Sequence, residues 1–180
     1  MYHVYNNILR DVDSGEVSAT ANLYPTTIQL IVSGIRKLST IAKMPEGGAV
    51  FRGLSGLALP PEFFETDEQG CAGGVEASFM STTLSEEVAR QYSGVNEGRE
   101  ATIFRLQLAK ILKSQNVVPV YIYNNMLTFG KSCQGKTSLG ADIGWLSQFA
   151  REREMLFPPR THLQIVGARS QKSTLCSDCT

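Results

Sequence analysis

The spacing of apolar residues changes near Pro45, and this change limits the folds that the chain can adopt. Before it, apolar residues recur every three or four positions after Pro25, as in a helix with one buried face; they are Ile28, Ile31, Ile35, Leu38 and Ala42. After it, short segments that favour strands are separated by glycines and prolines. A helical front followed by a mainly β chain predicts the α+β class.

The strand segments follow one another at short intervals. Strands are predicted over Ala49 to Arg52, Ala77 to Thr82, Ala101 to Leu108, Val117 to Tyr123, Arg151 to Phe157 and His162 to Gly167. Pro119 cannot donate to a ladder, so its strand is expected to be weakened or to lie at a sheet edge. Thr83-Leu84-Ser85-Glu86 has the capping-box pattern and predicts a short helix. On that helix Leu84, Val88 and Tyr92 share one face, so Tyr92 is expected to point towards the preceding strand.

Composition indicates one globular domain and removes several classes of partner. The 180 residues are 42% hydrophobic and show no repeat or low-complexity linker, so we expect one domain over 1–169 and a flexible polar tail over 170–180. The 17 basic and 17 acidic residues cancel, which argues against a nucleic-acid partner. The apolar run Ile28 to Val32 is far shorter than the ~20 residues of a membrane span. No signal peptide is recognised at the start.

The acidic residues predict a solvated surface, and the cysteines predict neither a disulfide-dense scaffold nor a zinc site. From Gly53 to Ala89 the chain carries acidic side chains and no Lys or Arg, which is typical of a solvated region. Four cysteines are too few for a disulfide-dense scaffold and favour a reducing, cytoplasmic location; they are Cys71, Cys133, Cys176 and Cys179. The last two form a CxxC with no second pair, so no zinc site is expected.

One loop offers an alternative chemistry. Gly130 to Thr137 satisfies the phosphate-binding pattern GxxxxGK[ST]. A working P-loop needs a helix after it and a later apolar strand that ends in a metal-binding Asp. Only 43 residues follow Thr137 without such a strand, and Gly140 and Gly144 weaken the required helix. A surface loop is therefore favoured, and a nucleotide-triphosphate site is kept as the weaker alternative.

Glu152-Arg153-Glu154 forms an acidic pair beside an apolar segment. On a strand, the two carboxylates would lie on one face with their α-carbons ~6.5–7 Å apart. Carboxylates this close raise each other's proton affinity unless a cation or hydrogen-bond donors intervene. They suit a reaction that develops positive charge, such as departure of a leaving group from a sugar carbon. Alone, the pattern is also typical of a solvent-facing strand.

Two other strand ends carry polar side chains. Arg52 ends one strand with a guanidinium suited to phosphate, and Gly53 permits close backbone approach to a ligand. Phe79 to Thr83 ends another strand in hydroxyl groups. In the order Arg, Ser-Thr-Thr, Glu-x-Glu, the chain resembles the arginine-specific mono-ADP-ribosyltransferases of the R-S-E class. The resemblance runs from about Leu38 to Gly167.

The resemblance implies a fold and a site for NAD. The fold would be a mixed β-sheet core of the ADP-ribosyltransferase type with N-terminal and flanking helices. NAD would be the donor substrate, and no metal would be needed. Arg52 would hold the NAD phosphates and Gly53 would bind the nicotinamide amide through its backbone. Ser81 would order the nicotinamide ribose and the catalytic carboxylate, Thr82 would shape the strand end, and Tyr92 would place its ring against the nicotinamide.

The resemblance also implies the reaction. Glu154 would be the catalytic glutamate that stabilises the oxocarbenium ion, and Glu152 would engage the acceptor guanidinium. Phe149 would lie in the turn that recognises the acceptor, which is an arginine-bearing protein. An NAD glycohydrolase and a non-catalytic NAD-binding or interaction module stay open as alternatives. Residues 113–138 form an extra stretch without an assigned role, and the short front is compatible with a domain of a longer protein.

Overall fold

A computed structural model describes residues 2–15, 23–41, 48–68, 70–95, 101–107, 117–123 and 140–169. Within these ranges the helices are α1 (Tyr2–Asp13), α2 (Pro25–Ile41) and α3 (Glu86–Ser93). The strands are β1 (Ala49–Ser55), β2 (Gly73–Glu76), β3 (Met80–Thr83), β4 (Ala101–Gln107), β5 (Val117–Tyr123), β6 (Ala141–Asp142), β7 (Glu154–Phe157) and β8 (Thr161–Arg169).

All of these strands belong to one mixed sheet. Its order is β2-β8-β5-β4-β1-β3-β7-β6. The β5–β8 pair is parallel and the other neighbours are antiparallel. The prediction of a mixed sheet with N-terminal and flanking helices is confirmed at this level.

The N-terminal helices pack at the β3–β7–β6 end of the sheet. Ile35 of α2 is buried with Phe79 and Ala141, and other apolar residues of α1 and α2 surround them. Pro25 is the first residue of α2, where its missing N–H is not needed. The predicted apolar face of this helix is thus confirmed up to Leu38, and Ala42 lies outside the described residues.

A larger core fills the interior side of the sheet. Its buried members are Val50, Met80, Phe104, Leu106, Met155, Phe157, Leu163 and Ile165. The sheet curves strongly around them. Arg52 of β1 and Glu76 of β2 are 3.1 Å apart, although three strands stand between β1 and β2 in the sheet order. A flat sheet would separate the two strands by roughly 19 Å, because neighbours lie about 4.8 Å apart.

Two strand predictions were wrong in part. The strand predicted from Ala77 begins at Met80, because Ser78 folds back: its N–H and its hydroxyl donate to the carboxylate of Glu76 and make a turn. β5 was expected at an edge but lies between β4 and β8. The sheet accommodates Pro119 because the β4–β5 pairing covers Val120 to Tyr123 and stops short of the proline.

Helix α3 begins later than its sequence pattern indicated. Ser85 is the N-cap and accepts the N–H of Val88 at 3.4 Å. The expected capping box would have used Thr83, which instead stays in β3, paired with both Phe51 and Glu154. Its hydroxyl accepts the N–H of Ser85, so the threonine ends the strand and the serine starts the helix.

Several predictions fall outside the described residues. These include the Gly130 to Thr137 loop, most of the extra stretch 113–138 and the tail 170–180. No described helix is long and apolar enough to cross a membrane. Cys71 is disulfide-bonded.

Candidate active site

Glu154, the first residue of β7, has both carboxylate oxygens held by serine hydroxyls. Ser81 on β3 donates to Oε1 at 2.5 Å, and Ser147 in the β6–β7 loop donates to Oε2 at 3.0 Å. Ser81 is a diagonal neighbour of Glu154 across the β3–β7 ladder, where Thr83 is its direct partner. The two hydroxyls, from different parts of the chain, fix the orientation of one half-buried carboxylate.

Glu152 is not on the strand that the sequence predicted. It ends the 3₁₀ helix Ala150–Glu152, and Arg153 follows in the left-handed conformation with φ 48°. The carbonyl of Glu152 accepts the hydroxyl of Thr83, and the carbonyl of Arg153 accepts the N–H of Leu84 at 3.3 Å. These two bonds hold a turn where a strand was expected. The prediction that pleating alone places both carboxylates on one strand face was therefore wrong.

Tyr92 connects helix α3 to this turn. Its hydroxyl donates to Oε1 of Glu152 at 2.7 Å, and the residue is 58% exposed. The pKa of Tyr92 is raised above its usual value, first by this hydrogen bond, then by burial and by the charges of Glu152 and Glu154. The phenol thus stays protonated and can keep donating. Contact of its ring with nicotinamide stays a prediction.

Strands β1 and β3 separate beside these groups. Their described pairing is Phe51↔Thr83. A continued ladder would pair Gly53 with Ser81, but among the described residues the β1–β3 pairing does not extend to that position. The β1–β3 opening, bounded by Arg52 and Gly53 on one side and by Ser81 on the other, therefore lies within a few residues of Glu154. That these residues form one binding site stays a prediction.

Arg52 is mostly buried and only partly paired. Its side chain is 14% exposed, and Nη2 forms an ion pair with Oε2 of Glu76 at 3.1 Å. Nη1 is buried without a hydrogen-bond partner among the described residues. Buried donors are rarely left unpaired, so Arg52, which borders the β1–β3 opening, keeps one guanidinium nitrogen whose N–H groups have no acceptor among the described residues. Between Arg52 and Glu154 themselves, no contact is found in the described structure.

Gly53 is required by the packing of α3. A Cβ at this position would lie 2.0 Å from the carbonyl oxygen of Ala89 and 2.8 Å from the nitrogen of Ser93. The close backbone approach predicted at Gly53 therefore exists, but its partner is a helix of the same chain. A backbone contact from Gly53 to nicotinamide stays a prediction.

The two remaining predicted site residues differ in exposure. Thr82 is buried and its hydroxyl donates to the carbonyl of Met155 at 2.9 Å, which supports the strand end that it was expected to shape. Phe149 is 58% exposed, in a loop that also exposes Trp145 and Leu146. Its N–H donates to Ser147 Oγ at 3.2 Å, so the exposed loop is hydrogen-bonded to the serine that holds Glu154.

Two residues of this region were missed by sequence reasoning. Ser147 lies in Leu146 to Phe149, one of the segments that carry the resemblance, but it was given no role, because its bond to Glu154 depends on how the loop before β7 folds. Glu76 was interpreted as part of a solvated acidic surface, but its side chain is 17% exposed and ion-paired. No local spacing signalled this, because its partner Arg52 lies on a strand that is distant in the sheet order. Among the described residues, no cluster could hold a metal ion.

Comparison with known proteins gives similar solved structures only. No family model and no curated protein matches the sequence. ADP-ribosyltransferase HopU1 of Pseudomonas syringae pv. Tomato DC3000 has 20% identity and a TM-score of 0.46, over 95% of this chain and 65% of that one. Exoenzyme S from Pseudomonas aeruginosa, solved with human 14-3-3 protein beta and carba-NAD, has 13% identity and a TM-score of 0.40, over 98% and 72%.

Plx2a, an ADP-ribosyltransferase toxin from Paenibacillus larvae, has 12% identity and a TM-score of 0.35, over 93% of this chain and 84% of that one. The chain thus spans about 65% of the length of HopU1. At these identities and scores, the function has to be argued from the site itself.

Proposed function

We propose that the chain is a mono-ADP-ribosyltransferase that cleaves the nicotinamide–ribose bond of NAD and transfers ADP-ribose to arginine side chains of proteins. The observation that carries the proposal is the arrangement around Glu154. Two serine hydroxyls hold its carboxylate, and the adjacent turn presents a second carboxylate, Glu152. Residues 1–169 would form the catalytic domain, with the sheet as a core of the ADP-ribosyltransferase type.

Glu154 would act on bond cleavage. When the bond to ribose C1′ breaks, its electron pair leaves with nicotinamide, and positive charge develops on the ribose. A carboxylate whose position is already fixed stabilises that charge without reorganisation at the moment of reaction. Ser81 and Ser147 are positioning residues in this scheme, because they act through Glu154. Nicotinamide leaves as a neutral molecule, so the proposed cleavage uses no metal.

Glu152 would act on the acceptor. An arginine guanidinium is protonated at neutral pH and binds a carboxylate through paired N–H groups. Its nitrogen must lose a proton when it forms the new bond to C1′, and Glu152 is the group that would accept this proton. The hydroxyl of Tyr92 occupies part of Oε1 and leaves the rest of the carboxylate available. The backbone N–H of Glu152 donates to the carbonyl of Phe149 at 2.9 Å, so Phe149 and its exposed loop adjoin this residue.

NAD would lie across the β1–β3 opening. The free Nη1 donor of Arg52 supports a phosphate position there. Gly53, at this opening, and Tyr92, which is bonded to Glu152, would contact the nicotinamide end, and Ser81 would order its ribose. NAD is consumed in this reaction as the donor substrate, and the acceptor is an arginine-bearing protein.

Nicotinamide release from labelled NAD, measured with and without agmatine or polyarginine, tests the proposal. We expect release that is accompanied by labelling of the acceptor and lost in Glu154→Gln. Glu87→Gln makes the same chemical change at an exposed position of α3 and is the matched control. Release without acceptor labelling would identify a glycohydrolase instead. NAD binding without any release would identify a non-catalytic module.

A further inference from the structure

The ion pair between Arg52 and Glu76 joins two ends of a curved sheet. Arg52 lies on β1 and Glu76 is the last residue of β2, which is an edge strand. The pair is 3.1 Å long with both side chains largely buried, at 14% and 17% exposure. Because β1 and β2 are so distant in the sheet order, the position of the Arg52 side chain is held by a residue that does not belong to β1 or to a strand paired with it.

Glu76 is itself held in place by several donors. Its Oε1 accepts the N–H of Ser78 at 3.2 Å and the hydroxyl of Ser78 at 2.6 Å. Arg10 of α1 approaches the same oxygen at 3.5 Å. Phe79, three residues after Glu76, is hydrogen-bonded through its backbone N–H and carbonyl to the buried side chain of Asn6 on α1. Glu76 therefore projects from a turn that α1 and β3 hold rigidly.

As a consequence, the two terminal nitrogens of Arg52 differ in their hydrogen bonding. Nη2 of Arg52 forms the ion pair with Oε2 of Glu76. Nη1 of Arg52 is buried and has no hydrogen-bond partner among the residues that the structure describes. Arg10 and Arg52 together carry two positive charges against the single negative charge of Glu76. The cluster therefore keeps a net positive charge while the planar guanidinium is held in one orientation.

We propose that Glu76 is a positioning residue that orients Arg52 so that its free edge binds the pyrophosphate of the donor. This inference rests on the proposed function, because it takes NAD as the donor. Glu76 does not touch the ligand in this scheme, and it acts through Arg52 alone. Arg10, half exposed and at longer distance, contributes less.

Two probes separate this role from a general structural one. ADP-ribose contains the pyrophosphate, and nicotinamide does not. Their dissociation constants are measured by calorimetry and by ligand-observed NMR, respectively, on the whole chain. Glu76→Gln keeps the shape of the side chain but removes its charge, so the ion pair with Arg52 is lost and at most a weaker neutral hydrogen bond replaces it. Glu86→Gln breaks a second glutamate–arginine pair, to Arg90 at 2.8 Å on the surface of α3, and is the matched control.

We expect Glu76→Gln to bind ADP-ribose about tenfold more weakly, while nicotinamide binds within twofold of the parent. Glu86→Gln should change neither constant. Glu76→Asp keeps the charge with a shorter reach and should show an intermediate loss, which provides the test if Glu76→Gln does not fold. Unchanged or tighter ADP-ribose binding in both Glu76 variants would overturn the inference, and so would an equal loss for both ligands.

Arg52→Ala distinguishes this inference from the function on which it rests. If Arg52→Ala weakens ADP-ribose binding while the Glu76 variants do not, the phosphate site stands and the role of Glu76 is wrong. If Arg52→Ala leaves ADP-ribose binding unchanged, the placement of NAD phosphates at Arg52 is wrong, and the role of Glu76 falls with it.

Discussion

Glu152 and Glu154 are two residues apart in sequence but are held in different ways. Glu154 starts a strand, and serines from two other segments bond both of its oxygens. Glu152 ends a short 3₁₀ turn, and one of its oxygens accepts a hydrogen bond from an exposed tyrosine. A carboxylate fixed on a sheet suits a reaction centre, whereas a carboxylate on a surface turn suits a partner that arrives and leaves.

The largest expected effect is at the fixed carboxylate. Glu154→Gln keeps the side-chain shape and removes its charge. We expect both NAD hydrolysis and arginine transfer to fall by roughly 10²–10³, with NAD affinity nearly unchanged, because the charge acts mainly in the transition state. Turnover is measured by nicotinamide release and affinity by calorimetry. Turnover within threefold of the parent would contradict the assignment.

Glu152→Gln should separate the two activities. We expect arginine transfer to fall by about 10², the lower end for a lost general base, while slow NAD hydrolysis continues. Both are followed in one preparation, by acceptor labelling and by nicotinamide release. If the two activities fell in parallel, the two carboxylates would act as one unit, and the proposed difference between their roles would be wrong.

Ser147→Ala should weaken the hold on Glu154 without removing the carboxylate. Loss of one of two hydrogen bonds to a charged group predicts about a tenfold fall in kcat for hydrolysis and transfer alike. Ser39→Ala is the control, because Ser39 donates only to the carbonyl of Arg36 within its own helix. A loss confined to transfer would instead assign Ser147 to the acceptor loop.

The smallest expected effect is at Tyr92. Tyr92→Phe keeps the ring and removes the bond to Glu152, so a few-fold rise in the acceptor KM is expected, with hydrolysis unchanged. Because the pKa of Tyr92 lies above its usual 10, its hydroxyl keeps donating up to that pH and stops as the pH rises through the raised value. Transfer by the parent should therefore decline only above pH 10. A decline of the same size in Tyr92→Phe would exclude the tyrosine as its cause.

Local patterns predicted the elements that local forces determine. The apolar face of α2 and the bounds of β5 follow from spacing and residue type, and both are confirmed. Polar side chains on β1 and β3 were also recognised from the sequence, and their roles at the β1–β3 opening stay predictions.

Contacts between distant segments could not be predicted in this way. The turn at Glu152 depends on a hydrogen bond from Thr83, and the interior position of β5 depends on which strands flank it. Glu76 looked like a surface acid because its partner Arg52 is reached only through the curvature of the sheet. Each of these features is decided by tertiary packing, which spacing along one segment does not record.

The hydrogen bonds of the site also have a consequence for folding kinetics. Ser81 and Glu154 are 73 residues apart in sequence, and Tyr92 and Glu152 are 60 apart. Contacts of such high sequence separation require long loops to close before they contribute, which slows folding of the sheets that contain them. We therefore expect refolding in stopped-flow experiments to restore helical circular dichroism well before ligand affinity, with the site completed only when β7 joins β3.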